Sequence, residues 1–304
     1  MMDAGKRLSI SADKSGVRLD LYVCRSCEGL SRSFVQKLIE DGHVSINGEL
    51  GKPSRKVKIG DVILVHVPPP EPSPELVPED LPLAIIYEDG DILVVNKPAG
   101  LTVYPAPGHP RHTLMNAILA HCPEITRIEG SVRPGVVHRL DKDTSGVMVI
   151  AKNKASQLNL ASQIKGHRML KKYLVLVKGS PSPEQGVIEA PISRHPKDRK
   201  RMAVVEGGRA SRTLYRVTRR FNGYSLVEAT LQTGRTHQIR VHFSHKGWPV
   251  VGDAVYGVRV DWLSRQFVHA WTLGFKLPSN GRYVEFQAEP PADLREALEA
   301  VSRL

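Results

Sequence analysis

The strongest chemical signal in this sequence is an acid that lies between two apolar runs. Residues 134–137 and 147–151 are apolar, and the run between them reads His138-Arg139-Leu140-Asp141-Lys142-Asp143-Thr144-Ser145-Gly146. This order predicts a strand over 136–141, a tight turn and a second strand over 146–152, with Asp141 where the first strand ends. A carboxylate that a rigid sheet holds in place and a neighbouring guanidinium keeps ionised can act as a nucleophile or as a base.

Two other kinds of catalytic site are not expected. His138 alternates away from Asp141 along the predicted strand, so a triad with Ser145 is not favoured. Cys24 and Cys27 form a C-x-x-C pair, but zinc needs four ligands and no second pair stands at a suitable distance. We therefore expect no metal site. The sequence also contains no G-x-G-x-x-G run and no P-loop, so we expect no nucleotide cofactor.

The run around Asp141 is similar to the active-site motif of the RluA/RluD-type pseudouridine synthases. Four further segments resemble the same family and together span most of residues 85–290. They are Asn96-Lys97-Pro98-Ala99-Gly100-Leu101, Lys171-Lys172-Tyr173, Leu231-Gln232-Thr233-Gly234-Arg235-Thr236-His237-Gln238-Ile239-Arg240-Val241-His242, and Gly252-Asp253-Ala254-Val255-Tyr256-Gly257 with the later Arg265-Gln266 and His269-Ala270. The resemblance implies an isomerase that converts uridines of RNA to pseudouridine, with large-subunit ribosomal RNA as the favoured substrate.

The resemblance also implies roles for individual residues. Asp141 corresponds to the catalytic aspartate, Tyr173 to a tyrosine of the site and Arg235 to the arginine of the Thr-Gly-Arg-Thr-His run. We expect Arg235 to pair with Asp141 and to open a helix over 236–245. Tyr173 would offer an aromatic face to the uracil. Arg139 is linked to base displacement, and it would fill the gap that an extruded nucleotide leaves.

The reaction explains why one carboxylate is enough. The C1′–N1 bond breaks, the uracil turns over and C5 bonds to the same sugar carbon, with no oxidation and no lost group. No cofactor is therefore expected. Asp141 could attack C1′ to form a covalent ester, or it could remove the C2′ proton to give a glycal. The sequence leaves both routes open.

The net charge indicates a polyanion as partner. It is +12 at pH 7, and the sequence pI is about 9.7. Residues 93–304 contain 32 Lys and Arg against 16 Asp and Glu, so the basic excess accompanies the predicted catalytic residues. Within this region we expect Lys97, Arg199 and Lys200 to contact RNA, the last two from a basic loop over 194–201.

Composition divides the chain into four segments. We predict a flexible tail over 1–16, a small N-terminal α/β domain over 17–70, a proline-rich acidic linker over 71–83 and a catalytic domain over 84–304. In the last segment strands follow strands with helices at irregular intervals, which favours an α+β fold with a mostly antiparallel mixed sheet.

Segment 17–70 resembles the S-four-type RNA-binding domain. The apolar period of its second predicted helix directs Phe34, Val35, Leu38 and Ile39 toward a core. The side chains expected to face RNA are Arg32, Ser33, Gln36 and Lys37.

No apolar run approaches the length of a membrane span, and the first 16 residues lack the apolar stretch of a secretory signal. We therefore expect a cytoplasmic protein that acts without a membrane, as a monomer. Three alternatives stay open: the same chemistry on tRNA, an RNA-binding or ribosome-assembly protein without catalysis, and an N-glycosidase that hydrolyses the same bond. The last needs a second carboxylate, for which Asp143 is available although its place on a turn predicts that it points to solvent.

Overall fold

The computed structural model describes residues 6–27, 30, 32–68, 76–105, 110–128 and 133–304. The chain forms two compact units, Met1–Glu75 and Leu76–Leu304. The division falls inside the predicted linker over 71–83. Residues 71–75 lie outside the described residues, but Leu76 and Leu83 pack against the core of the second unit. That part of the linker prediction is wrong, because the segment carries apolar side chains that burial stabilises.

The described part of the first unit consists of a four-stranded antiparallel sheet and two helices that pack against it. Its elements are β1 (Lys6–Ser11), α1 (Leu19–Ser26), α2 (Arg32–Glu40), β2 (Val44–Ile46), β3 (Glu49–Leu50) and β4 (Val62–Val67), in the sheet order β1-β4-β2-β3. The predicted tail over 1–16 is wrong for residues 6–11, which pair with β4 along their whole length. Leu8 and Ile10 alternate onto the core, and this alternation is what makes the segment a strand. Residues 1–5 lie outside the described residues.

The α2 helix is held by a buried acid from α1. Asp20 accepts hydrogen bonds from Arg32 Nη2 at 3.0 Å, Gln36 Nε2 at 2.6 Å and Arg18 Nε at 3.0 Å. The hydrogen bond from Arg18, with those from Gln36 and Arg32, holds the pKa of Asp20 well below its usual range despite its burial. Arg32 and Gln36 were expected to face RNA, but a buried carboxylate needs partners and these side chains supply them.

The other expectations for α2 have mixed outcomes. Val35, Leu38 and Ile39 are buried as predicted, whereas Phe34 is exposed. Lys37 is exposed as its place on the polar face predicts, and the side chain of Ser33 lies outside the described residues.

The second unit is built on a nine-stranded sheet. Its strands are β5 (Ile85–Glu88), β6 (Ile92–Lys97), β7 (Ser145–Ala151), β8 (Leu170–Lys178), β9 (Gln185–Glu189), β12 (Arg212–Phe221), β13 (Tyr224–Leu231), β14 (Val268–Lys276) and β15 (Tyr283–Gln287), and the hairpin β10 (Ile192–Arg194) and β11 (Met202–Val204) forms a separate two-stranded sheet. The order is β5-β6-β7-β14-β8-β13-β12-β9, with β15 beside β14. Only the β7–β14 pair is parallel among these described pairings, so the predicted mostly antiparallel mixed sheet is confirmed.

In the described residues of the second unit, four α-helices and one 3-10 turn accompany the sheet. They are α3 (Leu114–His121), a 3-10 turn (Pro123–Arg127), α4 (Lys154–Lys165), α5 (Gln238–His245) and α6 (Ala292–Ser302). No helix in the described part of the chain has the length and apolar character needed to cross a membrane.

The centre of this sheet brings β7 and β14 unusually close together. Every residue of β7 is buried, which agrees with its almost continuous apolar sequence. Gly146 pairs with Ala270 at φ +119°, and a Cβ built on it would lie 2.2 Å from the Ala270 carbonyl oxygen. Glycine is required here by both backbone angle and space. The contact fixes the start of β7 and with it the loop that carries Asp141.

Candidate active site

Asp141 lies on a loop and not at the end of a strand. Val136 forms a single bridge to Ile150, and residues 138–141 have no regular structure. The predicted strand over 136–141 is wrong because His138 Nε2 accepts the Val149 N–H at 3.1 Å, which takes a β7 donor that a ladder would need. The loop closes where the Thr144 N–H donates to the Asp141 carbonyl oxygen at 3.1 Å.

The same contacts bear on the serine–histidine–aspartate alternative. His138 is bonded to the β7 backbone, and Ser145 Oγ lies 2.9 Å from His269 Nδ1. The members of such a triad are therefore directed to different partners, in agreement with the sequence expectation.

Lys97 stabilises this loop through hydrogen bonds to backbone carbonyl oxygens. Its Nζ donates to the carbonyl oxygens of Pro98 at 2.7 Å, Leu101 at 2.8 Å and Lys142 at 3.0 Å, which uses all three N–H bonds of an ammonium. The side chain is fully buried, and this burial lowers the pKa of Lys97 to about 7. The prediction that Lys97 contacts RNA is wrong, since a lysine at the buried end of β6 serves the backbone of two loops.

Arg240 is the guanidinium that pairs with Asp141. Its Nη1 donates to Asp141 Oδ2 at 3.0 Å, while its Nε and Nη2 donate to the two oxygens of Asp253 at 2.6 and 2.9 Å. Burial opposes the charge, but the hydrogen bonds and charges of Asp253 and Asp141 raise the pKa of Arg240 above its ordinary value. Asp253 also accepts the backbone N–H groups of Val255 and Tyr256 at 2.9 and 3.0 Å. A fixed cation, held by Asp253, therefore faces Asp141.

The expected pairing of Arg235 with Asp141 is wrong. The helix begins at Gln238, two residues later than predicted, so Arg235 lies on the preceding loop and its Nε donates to the Ala210 carbonyl oxygen at 3.2 Å. Arg240 lies in the first turn of α5 instead. A signal for it was present in the sequence, because an arginine among Ile239, Val241 and Phe243 needs an acid as partner if the helix is buried.

Tyr173 belongs to β8, and its side chain lines the same cavity as Asp141. Its neighbours across the sheet are Ala229 on β13 and Ala270 on β14. The side chain is buried, and burial together with the nearby Asp141 charge raises the pKa of Tyr173 well above 10. The phenol is therefore neutral at physiological pH and keeps its proton.

These residues line a cavity of about 550 Å³. Its walls carry apolar side chains from the loop, α4 and the sheet, and cationic side chains at several points. Among the lining residues are Arg139, Leu140, Asp141, Ile164, Lys171, Tyr173, Leu231, Arg235, His237, Arg240 and Val268. A smaller cavity of about 370 Å³ shares Asp141, Arg139 and Arg240 and is also lined by Asp143, which was expected to point to solvent. A cavity of this size that combines apolar walls with one acid and several cationic side chains can hold a small polar ring compound whose charged groups lie outside it.

The remaining predicted RNA contacts lie on the surface of this unit. Arg139 is exposed and lines both cavities beside Asp141. Arg199 and Lys200 are exposed in the turn of the β10–β11 hairpin, where the Arg199 carbonyl oxygen accepts from Arg194 Nη1 at 2.6 Å. Their positions suit contacts with a polyanion.

One group among the described residues has the composition of a metal site. Glu88, His121 and Cys122 place one ligand atom each within 4.8 Å of one another. Lys152 Nζ already binds Glu88 Oε1 at 2.7 Å, and burial raises the pKa of the Cys122 thiol to about 12. A metal ion would need Cys122 as a thiolate, and the Lys152 ammonium would repel it. The group therefore fits an ion-pair cluster better than a metal site.

Two family models match the chain. That of the RNA pseudouridylate synthases matches residues 91–245, which include Asp141, Tyr173 and Arg240. That of the S4 domain matches residues 17–63, within the first unit.

Relatives match over nearly the whole chain. A protein of Chloroflexus aurantiacus named an uncharacterized RNA pseudouridine synthase is 50% identical over 98% of this chain and 94% of its own length. The ribosomal large subunit pseudouridine synthase D of Zymomonas mobilis is 41% identical over 95% of each chain. Among solved structures, human RNA pseudouridylate synthase domain containing 1 is 30% identical with a TM-score of 0.57, over 70% of this chain and 85% of its own. The chain belongs to the RNA pseudouridine synthase family of isomerases and carries an N-terminal S4 RNA-binding domain.

Proposed function

We propose that this enzyme isomerises uridines of large-subunit ribosomal RNA, and that Asp141 acts at the ribose of the target nucleotide. The observation that carries the proposal is the ion pair of Asp141 with Arg240 in a cavity walled by Tyr173. The choice of RNA rests on relatives named ribosomal large subunit pseudouridine synthase D, which are 38 to 41% identical over 95 to 99% of this chain.

The carboxylate has one bound and one accessible oxygen. Arg240 occupies Oδ2 of Asp141 at 3.0 Å, while Oδ1 lies 3.9 Å from His237 Nε2, beyond hydrogen-bond distance. As a nucleophile, Oδ1 bonds to C1′ while the C1′–N1 bond breaks, and it leaves when C5 bonds to C1′. As a base, it takes the C2′ proton to form a glycal and later returns it. In both routes a proton moves from C5 to N1, so the reaction balances without a co-reactant.

Tyr173 and the apolar wall bind the uracil while it is detached. An aromatic ring can stack on the base, and the neutral hydroxyl can meet its polar edge. Leu231 and Val268 line the same cavity and exclude water. Excluding water matters because a detached base that water could replace would make the reaction a hydrolysis.

Arg139 takes the place of the extruded nucleotide. It is exposed at the rim of both cavities, two residues before Asp141 on the same loop. Extrusion costs a few kcal/mol, and a cationic side chain inserted into the gap offsets part of that cost.

Three cations beside the cavity bind the RNA backbone. Lys171, Arg209 and Arg235 do not take part in any ion pair found among the described residues. Burial lowers the pKa of Lys171, and the charge of Arg235 lowers it further. Burial and Arg209 likewise lower the pKa of Arg235. Cations that lie close together without an acid favour a phosphate between them. Phosphate binding is therefore the role we assign to Arg235, in place of the expected pairing with Asp141.

The test follows the C5 proton. Ribosomal RNA transcribed with uridine tritiated at C5 releases tritium to water only when C5 forms the new bond. We expect the purified enzyme to release tritium, Asp141→Asn to release none while its Kd for RNA stays within about twofold, and the exposed-site control Asp261→Asn to match the parent. Release by Asp141→Asn would refute the assignment.

The same assay separates the alternatives. Uracil freed from the RNA without tritium release would indicate an N-glycosidase. Release from tRNA but not from ribosomal RNA would contradict the proposed substrate while leaving the chemistry in place.

A further inference from the structure

The hydroxyl of Tyr256 is fixed on two sides. It accepts the Met202 backbone N–H at 2.8 Å and lies 2.8 Å from His237 Nδ1. The side chain is buried, and burial raises the pKa of Tyr256, so the phenol keeps its proton. A buried hydroxyl proton needs an acceptor. The acceptor that the geometry offers is His237 Nδ1.

This contact sets the tautomer of His237. If Nδ1 accepts from Tyr256, the ring proton of a neutral imidazole is on Nε2. Burial lowers the pKa of His237, and the positive charges of Arg240 and Arg139 lower it further. The negative charges of Asp141 and Asp253 raise it but do not outweigh burial. The ring is therefore neutral at physiological pH. Nε2 faces Oδ1 of Asp141 at 3.9 Å.

The backbone holds the ring in this position at some cost. His237 is the N-cap of α5 with φ +55° and ψ +22°, the left-handed region that residues other than glycine seldom adopt. Arg201 and Arg240 lie over the Tyr256 ring, with their guanidinium carbons 5.3 and 4.9 Å from its centroid. Arg201 also donates to the Val255 carbonyl oxygen at 2.7 Å. Several elements thus fix Tyr256, and Tyr256 fixes His237.

We propose that His237 is a positioning residue for Asp141: held by Tyr256 in the Nε2–H tautomer, it donates to Oδ1 when the nucleotide fills the cavity. Hydrogen bonds of active sites are often long in the free enzyme and tighten in the complex. Arg240 on Oδ2 and His237 on Oδ1 then orient the plane of the carboxylate. The inference rests on the proposed function of Asp141.

Two pairs of variants separate this role from a structural one. Glutamine places an amide N–H near the position of Nε2, whereas asparagine suits the left-handed backbone but is too short to reach. We expect His237→Asn to lower kcat about ten- to a hundredfold with little change in KM, and His237→Gln to recover most of the loss. Tyr256→Phe keeps the ring but loses the donor, so it should lower kcat in the same range.

The tautomer can be observed directly. In protein labelled with ¹⁵N at histidine, two-bond proton–nitrogen spectra at pH 7.5 should show the His237 proton on Nε2, with His237→Gln identifying the signal. In Tyr256→Phe the signal should shift toward a mixture of tautomers. Thermal unfolding checks that each variant is folded.

Each outcome bears on one claim. A proton on Nδ1, or a doubly protonated ring, in the parent enzyme overturns the inference. So does an unchanged kcat in both His237→Asn and Tyr256→Phe, provided that Asp141→Asn is inactive. An active Asp141→Asn would instead overturn the proposed function.

Discussion

Arg240 binds two carboxylates at once, Asp141 through Nη1 at 3.0 Å and Asp253 through Nε and Nη2 at 2.6 and 2.9 Å. Asp253 is fully buried and Asp141 opens into the cavity. The buried acid therefore holds the guanidinium in place for the accessible one. If Asp141 is the catalytic acid, we expect Asp253 to act on the reaction through Arg240, and a change at either residue to affect both stability and turnover.

Replacing Arg240 should show this double role. Arg240→Gln leaves Asp253 buried without its partner, and we expect the free energy of unfolding to fall by about 3–5 kcal/mol. Arg240→Lys keeps a charge but lacks the planar fork of a guanidinium that binds both carboxylates at once. Turnover should therefore fall in Arg240→Lys as well as in Arg240→Gln. Urea unfolding and tritium release measure the two effects. Arg235→Gln is the matched control, and it should unfold like the parent; a loss as large as that of Arg240→Gln would contradict the assignment.

Lys171 and Arg235 should each account for about one released counterion. Replacing either by glutamine should reduce the slope of log K for RNA against log salt by roughly 0.7–0.9, with little change in turnover at saturating RNA. Filter binding between low and physiological salt gives the slope. Lys178→Gln is the control, since it lies at the other end of the same strand, β8. Equal slopes for all these proteins would exclude phosphate contacts at Lys171 and Arg235.

Lys97→Met should alter stability and leave RNA electrostatics unchanged. The change removes the buried donor that three carbonyl oxygens share, so we expect the free energy of unfolding to fall by roughly 2–4 kcal/mol. Denaturant titration measures the loss, and the salt slope of RNA binding should equal that of the parent. A slope reduced by a full charge would show that Lys97 meets phosphate after all.

His138 should make stability depend on pH. Burial, with the charge of Lys171, lowers the pKa of His138 to about 4 from 6.5. The unfolded chain then binds a proton more readily than the folded one, so the contribution is present above pH 6.5 and is lost as the pH falls toward 4. His138→Gln keeps an acceptor for the Val149 N–H without titrating. As the pH falls from 7.5 to 4, the urea midpoint of the parent should fall further than that of the variant; a constant difference would contradict the prediction.

Patterns carried by the backbone could be read from the sequence. The continuous apolar run over 147–151 predicted the strand β7, and the nine-residue run before it located Asp141. The antiparallel character followed from strands that succeed one another without a regular crossover helix. These features depend on neighbours along the chain, which a sequence displays directly.

Contacts between distant residues could not be read in the same way. The run over 231–242 contains two arginines, and only the true start of α5 at Gln238 decides that Arg240 and not Arg235 reaches Asp141. Lys97 looks like a surface cation until the loop carbonyls around it are known. Helix starts and buried polar contacts depend on tertiary packing, and residue type alone does not fix them.

The three carbonyl oxygens that Lys97 binds bear on which partner, enzyme or RNA, changes conformation when the two associate. The segment that bears Asp141 is already clamped, from beneath by this ammonium and from the side by Arg240. Little conformational freedom is left there to lose on association. The rearrangement that recognition demands must then fall on the nucleic acid, which would favour uridines in loops and bulges over those in continuous duplex.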